Sequence, residues 1–216
     1  MNFFVTNAKF YAPGISSADE WKLWRDGKMQ IAPEKSAPKL EFADPLFRRR
    51  FSQITKMTVQ VIHDVVACDE KFREKKIVFA SFRGEICRQL SVNRMIAEEK
   101  SILPAAFSLS VFNTPVAAAT IALEMKGGYS VVYPSKGNFA SAFLCGASSV
   151  LCGEDDEIIF CYADEKIPDE YESFAGKNFL PLAFACVIGK NPSADAKEFS
   201  AENLPQSPQE FLKALI

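Results

Sequence analysis

The sequence predicts an α/β protein: a mostly parallel, five-stranded sheet with one antiparallel edge strand and helices on both faces. Three observations lead there. Short apolar runs of strand length recur along the chain. Most are separated by stretches whose apolar residues return at helical spacing. The resulting order, β-α-β-α-α-β-α-β-β, calls for right-handed crossovers and a sheet covered on both sides.

Each element has its own signal. Residues 2–10 (NFFVTNAKF) form a first strand that ends at the Pro13-Gly14 turn. Ser17 caps a short helix that carries Trp21 and Trp24 and stops near Gly27. Residues 28–44 are rich in Pro and Lys and form a loop. Asp44 as N-cap and Pro45 at the first helical position open a long helix to about Cys68. Phe47, Phe51, Ile54, Val61, Ile62 and Val65 mark its apolar face. Residues 76–82 (KIVFASF) are a buried strand, and 84–100 an amphipathic helix broken by Pro104.

Residues 113–126 read as a buried, Ala-rich helix that ends at Gly127-Gly128. Tyr129 to Tyr133 is a β-branched, aromatic strand, and 134–137 a tight turn. Asn138 to Cys152 is a small-residue helix stopped by Gly153. Residues 157–163 and 181–188 are strands with no helix between them, hence the antiparallel edge. Residues 190–208 read as a mobile polar surface segment, and 211–216 as a short closing helix. The expected organisation is one domain over 1–190, then a polar segment and short helix over 191–216.

Bulk properties narrow the function. A net charge of -2 and a pI near 5.6 exclude the broad basic face of a general nucleic-acid binder, though not a small basic patch. The first residues lack the basic and apolar regions of a signal peptide, so a cytoplasmic protein is expected. Ile102 to Leu123 carries no charge and is long enough to span a bilayer. It also holds Ser108, Ser110, Asn113, Thr114 and Thr120, with Pro104 and Pro115 as breakers. It therefore reads as a buried core segment, not a membrane span.

The six cysteines show no C-x-x-C spacing and there is one histidine, so neither a zinc site nor any cofactor is expected. Reduced thiols, mostly buried as small hydrophobes, are the expectation.

Four segments together resemble the short β-ketoacyl synthase N-terminal-like proteins. They are Pro45 to Ser52 (PLFRRRFS) with Met57, Phe79 to Glu85 (FASFRGE), Phe107 to Asn113 (FSLSVFN), and Tyr162 to Glu165 (YADE) followed by Pro168. In order and spacing they cover most of residues 1–190. The resemblance implies half of a thiolase-type fold. It also implies a place in type II fatty-acid-like biosynthesis of aryl polyenes, a polyketide-like chemistry. There, similar proteins are chain-length factors, the inactive partners of an active ketosynthase.

A ketosynthase presents a cysteine at a helix start, where the dipole favours the thiolate that attacks an acyl thioester. The strand-turn-helix for it is readable at Val131 to Phe139. Aligned on Gly137, the nucleophile position falls on Pro134; counted from Lys126-Gly127, it falls on Lys136. Either way, no residue from 125 to 144 is Cys. Cys145 lies about two helical turns further on, roughly 10 Å, and reads as a buried helix residue. Ser135 is a substitute nucleophile without a base, since His63 sits on another helix. The histidines that the family draws from its second half are not expected either, because the chain stops about where that half begins.

No catalytic residue is therefore assigned, and an acyltransferase activity is not expected from the chain alone. The acidic run 154–157 and Asp164-Glu165 read as surface turns. By resemblance, the strand leading to the nucleophile is the dimer edge. Phe107, Phe112, Asn113, Tyr129, Val131, Tyr133, Pro134 and Ser135 are then the candidates for an interface and an acyl tunnel. Arg48, Arg49 and Arg50, expected at a helix N-terminus against its dipole, are candidates for docking an acyl carrier protein. The expected partner is an active ketosynthase in a heterodimer. A self-associating acyl-binding or scaffold protein and an enzyme using Ser135 or a thiol remain open.

Overall fold

Strand β4 (Glu157–Asp164) is buried along nearly its whole length, and its side chains alternate between two separate apolar clusters. Ile158, Phe160 and Tyr162 join one; Ile159, Cys161 and Ala163 join the other. Such alternation, apolar on both sides, marks a central strand with both faces covered. β2 (Ile77–Ala80) and β5 (Leu182–Gly189) divide in the same way.

The computed structural model describes residues 1–134, 138–174, 180–193 and 195–216. With β1 (Asn2–Tyr11), β3 (Tyr129–Val132) and β6 (Lys197–Ser200), the strands form one sheet in the order β3-β2-β4-β5-β1-β6. β2 pairs parallel to β3 and β4, whereas β5 is antiparallel to β4 and β1, and β6 to β1. β1 to β4 thus run one way and β5 and β6 the other. The expected α/β half-fold is present, with two differences. The reversed strand β5 lies inside the sheet, because a direct return after β4 seats it between β4 and β1. The antiparallel edge is β6, a sixth strand within a segment expected to be mobile. Phe199 of β6 is buried, which anchors that otherwise polar stretch.

Helices α1 (Ala18–Arg25), α7 (Phe139–Cys152) and α8 (Pro208–Leu215) cover one face. Helices α3 (Gln53–Val66) and α6 (Thr114–Ala122) cover the other. Ser17 caps α1 in a reciprocal capping box with Glu20. Gly153 ends α7 in the left-handed conformation.

The single helix expected over 45–68 is two. Asp44 accepts bonds from the Leu46 and Phe47 amides and starts α2 (Pro45–Arg48). Ser52 then accepts from the Thr55 amide and starts α3 afresh. Arg48 therefore closes α2, where a cation is favoured, and does not oppose a dipole as expected. The helix expected over 84–100 is α4 (Ile86–Arg94) extended by a π-turn over Met95–Glu99. α5 is short (Pro104–Ser108).

The uncharged stretch 102–123 is not wholly buried: Ile102, Leu103, Phe107, Val111 and Ile121 face outward. Gly127 is not a helix stop, since α6 has already ended. A side chain at Gly127 would collide with the Lys75 backbone, 2.2 Å from its Cβ position.

Between the sheet and the α7–α8 layer lies a phenylalanine cluster. The Phe143 ring meets Phe211 at 4.7 Å, Phe160 at 5.2 Å and Phe3 at 5.4 Å between centroids, mostly edge to face. Phe143→Ala is expected to cost about 3–5 kcal/mol, read from the urea midpoint. Exposed Leu144→Ala, one residue on, should lie within ~0.5 kcal/mol of the parent.

Candidate functional site

The C-terminal ends of parallel strands β2, β3 and β4 bring three loops together, the usual place for a site in an α/β sheet. At its centre Asp164, the last residue of β4, is buried. Its carboxylate accepts from the Ser81 hydroxyl at 2.7 Å, the Arg83 amide at 3.2 Å, the Phe82 amide at 3.3 Å and the Tyr162 hydroxyl. Burial pushes the Asp164 carboxyl above its usual range, and the donors work against that push. Tyr162 is raised further still by burial and by its acidic partner. Ser81 also accepts from the Gly84 amide at 2.8 Å. The turn after β2 is thereby fixed on Asp164.

That turn positions an aromatic pair. Gly84 has φ of +57°, and a Cβ there would stand 2.6 Å from the Phe112 ring. Glycine alone allows both the turn and the approach. Phe112 in turn lies edge-on to Tyr133, with centroids 6.2 Å apart. Asn113 donates to the Tyr129 hydroxyl at 2.9 Å. The sequence-chosen Phe112, Asn113, Tyr129 and Tyr133 are thus brought together along β3. Val131 packs under them against the α3–α6 layer. Phe107 stays apart from these contacts and is 55% exposed. Pro134 is buried. Ser135, with Lys136 and Gly137, lies outside the described residues.

Sequence reasoning missed the buried carboxylates. Asp164 and Glu165 are not a surface turn, and Glu85 is covered as well. Glu85 accepts from the Ser52 and Thr55 hydroxyls and stands 3.1 Å from the Arg88 Nε. That contact is ionic and lacks hydrogen-bond geometry. Glu165 accepts from the Cys87 amide at 3.0 Å, at the start of α4. Burial raises it to about 7, with Glu85 adding to the shift. The available signal was their position, an acidic pair directly after the apolar run 158–163.

The thiols differ from expectation. Cys161 and Cys186 are buried, but Cys68, Cys145 and Cys152 are exposed. α7 is a half-buried helix, and position 145 falls on its outer side. Cys87 is partly buried and pushed up to about 12 by burial and by Glu165, so it is no nucleophile. His63 stacks on Phe42 at 3.6 Å and pairs with Asp64 at 3.1 Å, a structural setting. Among the described residues no His, Cys, Asp and Glu side chains are grouped to hold a metal ion. No helix among them is long and apolar enough to cross a membrane. Arg48 donates to the Leu40 and Lys39 carbonyls, whereas Arg49 and Arg50 are exposed.

The sheet order, the reversed β5 and the succession of β3 and α7 define a thiolase-type half-fold. The chain belongs to the family described as beta-ketoacyl synthase, N-terminal domain, which it matches over residues 21–213. A solved ketosynthase (ApeO) in complex with its chain length factor (ApeC) from Xenorhabdus doucetiae is similar in fold. The TM-score is 0.74 at 24% identity, covering 88% of this chain and 80% of that one. The ishigamide ketosynthase/chain length factor gives 0.67 at 12% identity, over 88% of this chain and 62% of that one. A beta-ketoacyl synthase from Burkholderia phymatum STM815 gives 0.63 at 11% identity, over 88% and 60%. The chain thus spans about three-fifths of these last two. No curated protein matches it.

The raised Glu165 carboxyl sets a pH dependence. Its folded-state value near 7 exceeds the ordinary 4.5, so its contribution is full below pH 4.5 and fades as pH rises through 7. Glu85 and Asp164, raised in the same direction, add to that slope. Glu165→Gln should flatten stability between pH 5 and 8 and stabilise the protein at pH 8 by up to about 3 kcal/mol. Urea melts across that range measure it. An unchanged slope would mean that Glu165 keeps an ordinary titration when folded.

Proposed function

We propose that this chain is a ketosynthase-like subunit without ketosynthase activity, which pairs with an active ketosynthase and shapes the acyl cavity, as a chain-length factor does. One observation carries the reading: strand β3 is followed by helix α7, yet no residue from 125 to 144 is a cysteine. Without a thiolate at the helix start, acyl transfer has no nucleophile there.

The β3 side of the molecule supports pairing. β3 is an edge strand bonded to β2 on one side only. Ile77 donates to the Gly128 carbonyl, so residues 128, 130 and 132 turn their polar groups inward. Tyr129, Val131 and Tyr133 turn theirs outward, and an open edge of this kind is a template for another strand. Tyr133, directly after β3, is 65% exposed, and Ile121 of α6 is exposed at 67%, with Phe107 and Leu144 also exposed apolar residues. Two of the similar solved structures are named as ketosynthase and chain length factor together, which fits the same arrangement.

In this reading Phe112 and Tyr133 line the growing chain's cavity, and Phe107, Asn113, Tyr129, Val131 and Pro134 support the interface. The complex would work in the cytoplasm on chains carried by an acyl carrier protein, in aryl polyene or related fatty-acid-like synthesis. The second reading, a self-associating acyl-binding or scaffold protein, uses the same open edge for a second copy.

Co-expression with a ketosynthase from the same genome is expected to yield a 1:1 complex on size exclusion. A stable homodimer that ignores the ketosynthase would favour the second reading. Val131→Pro removes an outward amide and no bond to β2, so it should abolish the complex while leaving the monomer folded. In the intact complex, Phe112→Ala should lengthen the products, read by mass spectrometry. An unchanged length distribution would remove Phe112 from the cavity wall.

A further inference from the structure

A pocket of about 520 Å³ is lined by the end of α1, the segment 27–33, Leu180 ahead of β5, and α8. Its lining is largely apolar. Trp24 and Ile31 are almost wholly covered, and Met29, Pro33 and Leu180 join them. A volume of this size behind a mainly apolar wall suits a small molecule.

One charged residue among the described ones lines the pocket, Lys213 in the last turn of α8. Its ammonium lies over the Trp24 ring, 5.9 Å from the centroid. That contact holds the cation against the apolar wall. Lys213 has no carboxylate partner among the described residues. The charged groups near it in sequence or on α1 are already engaged. Glu210 accepts from the Gln206 amide at 2.7 Å. Asp26 takes Arg25 at 3.0 Å, and Arg25 also donates to the Ile216 carbonyl. The remaining polar residues of the lining, Gln30, Ser207 and Gln209, are neutral.

This lining selects by charge. Apolar surface favours a hydrocarbon body, and the ammonium favours one negative charge on it. A neutral acyl thioester would give Lys213 nothing to pair with. A ligand with several negative charges would set more of them against apolar wall than one ammonium can answer.

We propose that this pocket binds a small apolar monocarboxylate as the free anion, its hydrocarbon part against Trp24, Ile31 and Leu180 and its carboxylate on Lys213. The site shares no residue with the β3 edge, so the proposal stands apart from pairing with a ketosynthase.

The test uses the full chain alone. Calorimetry compares octanoate with octanamide, which match in size and differ in charge. Octanoate should bind about fivefold more tightly, as one partly screened ion pair allows. The preference should shrink as salt rises. Lys213→Met keeps the apolar stem and removes the charge, so it should bind the two equally. Lys213→Gln, a second uncharged variant, should read the same, whereas Lys213→Arg should keep the preference. Gln30→Trp adds bulk at an exposed lining position and should weaken both ligands together. Thermal melts matching the parent show that the variants are folded.

Four results overturn the proposal. They are no heat of binding from octanoate at millimolar concentrations, octanamide binding as tightly as octanoate, the uncharged Lys213 variants keeping the preference, and Gln30→Trp binding octanoate like the parent. The last would place the carboxylate elsewhere on the molecule.

Discussion

A carboxylate taken out of water must be answered by donors, and Asp164 is answered by four. Two hydroxyls and two backbone amides turn toward it at the end of β4. The geometry of the site follows from that demand. The amides belong to the turn after β2, so satisfying Asp164 draws the turn across the end of the sheet. The turn brings Gly84 into a left-handed conformation, the missing side chain admits the Phe112 ring, and Phe112 meets Tyr133 at the end of β3. A polar obligation on one strand thus determines an aromatic contact two strands away.

Glu85 and Glu165 extend the same logic to the helices. Their oxygens meet the starts of α3 and α4, where unpaired amides and hydroxyls are available and the helix dipoles favour negative charge. Burial opposes ionisation there, and the outcome is a set of carboxyls whose values rise. The three carboxyls hold the turn after β2 and the starts of α3 and α4 in place. The exposed apolar groups lie outside this corner, among them Phe107 of α5, Ile121 of α6 and Tyr133 after β3.

Much of the fold was legible from local chemistry. Ser17, Asp44 and Gly153 mark helix ends because their side chains, or the lack of one, answer exposed backbone groups in the nearest turn. The unbroken apolar runs of β4 and β5 mark strands covered on both faces, and the helical spacing in α3 marks the one face that meets the core. The lack of a cysteine between residues 125 and 144 needed no coordinates at all. Phe112, Asn113, Tyr129 and Tyr133 were singled out by resemblance, and they do meet. Less legible was anything set by a partner distant in sequence. Ser52 restarts a helix in the middle of an apolar pattern, and a periodicity reading runs straight through it. Phe199 seats β6 from within a polar stretch, where one buried ring outweighs the composition around it.

The sequence by itself determined the layers, the helix starts, the missing thiol and the family, because each depends on residue type and near spacing. Only the tertiary structure decided that Asp164 and Glu165 are interior, that β5 runs backwards inside the sheet, and that Lys213 comes over the Trp24 ring. Those outcomes depend on groups far apart in the chain, from the 30 positions between Thr55 and Glu85 to the pairing of Phe4 with Gly189 across the sheet. Hydrogen bonding and burial in the assembled sheet select among such meetings, and residue type with near spacing does not.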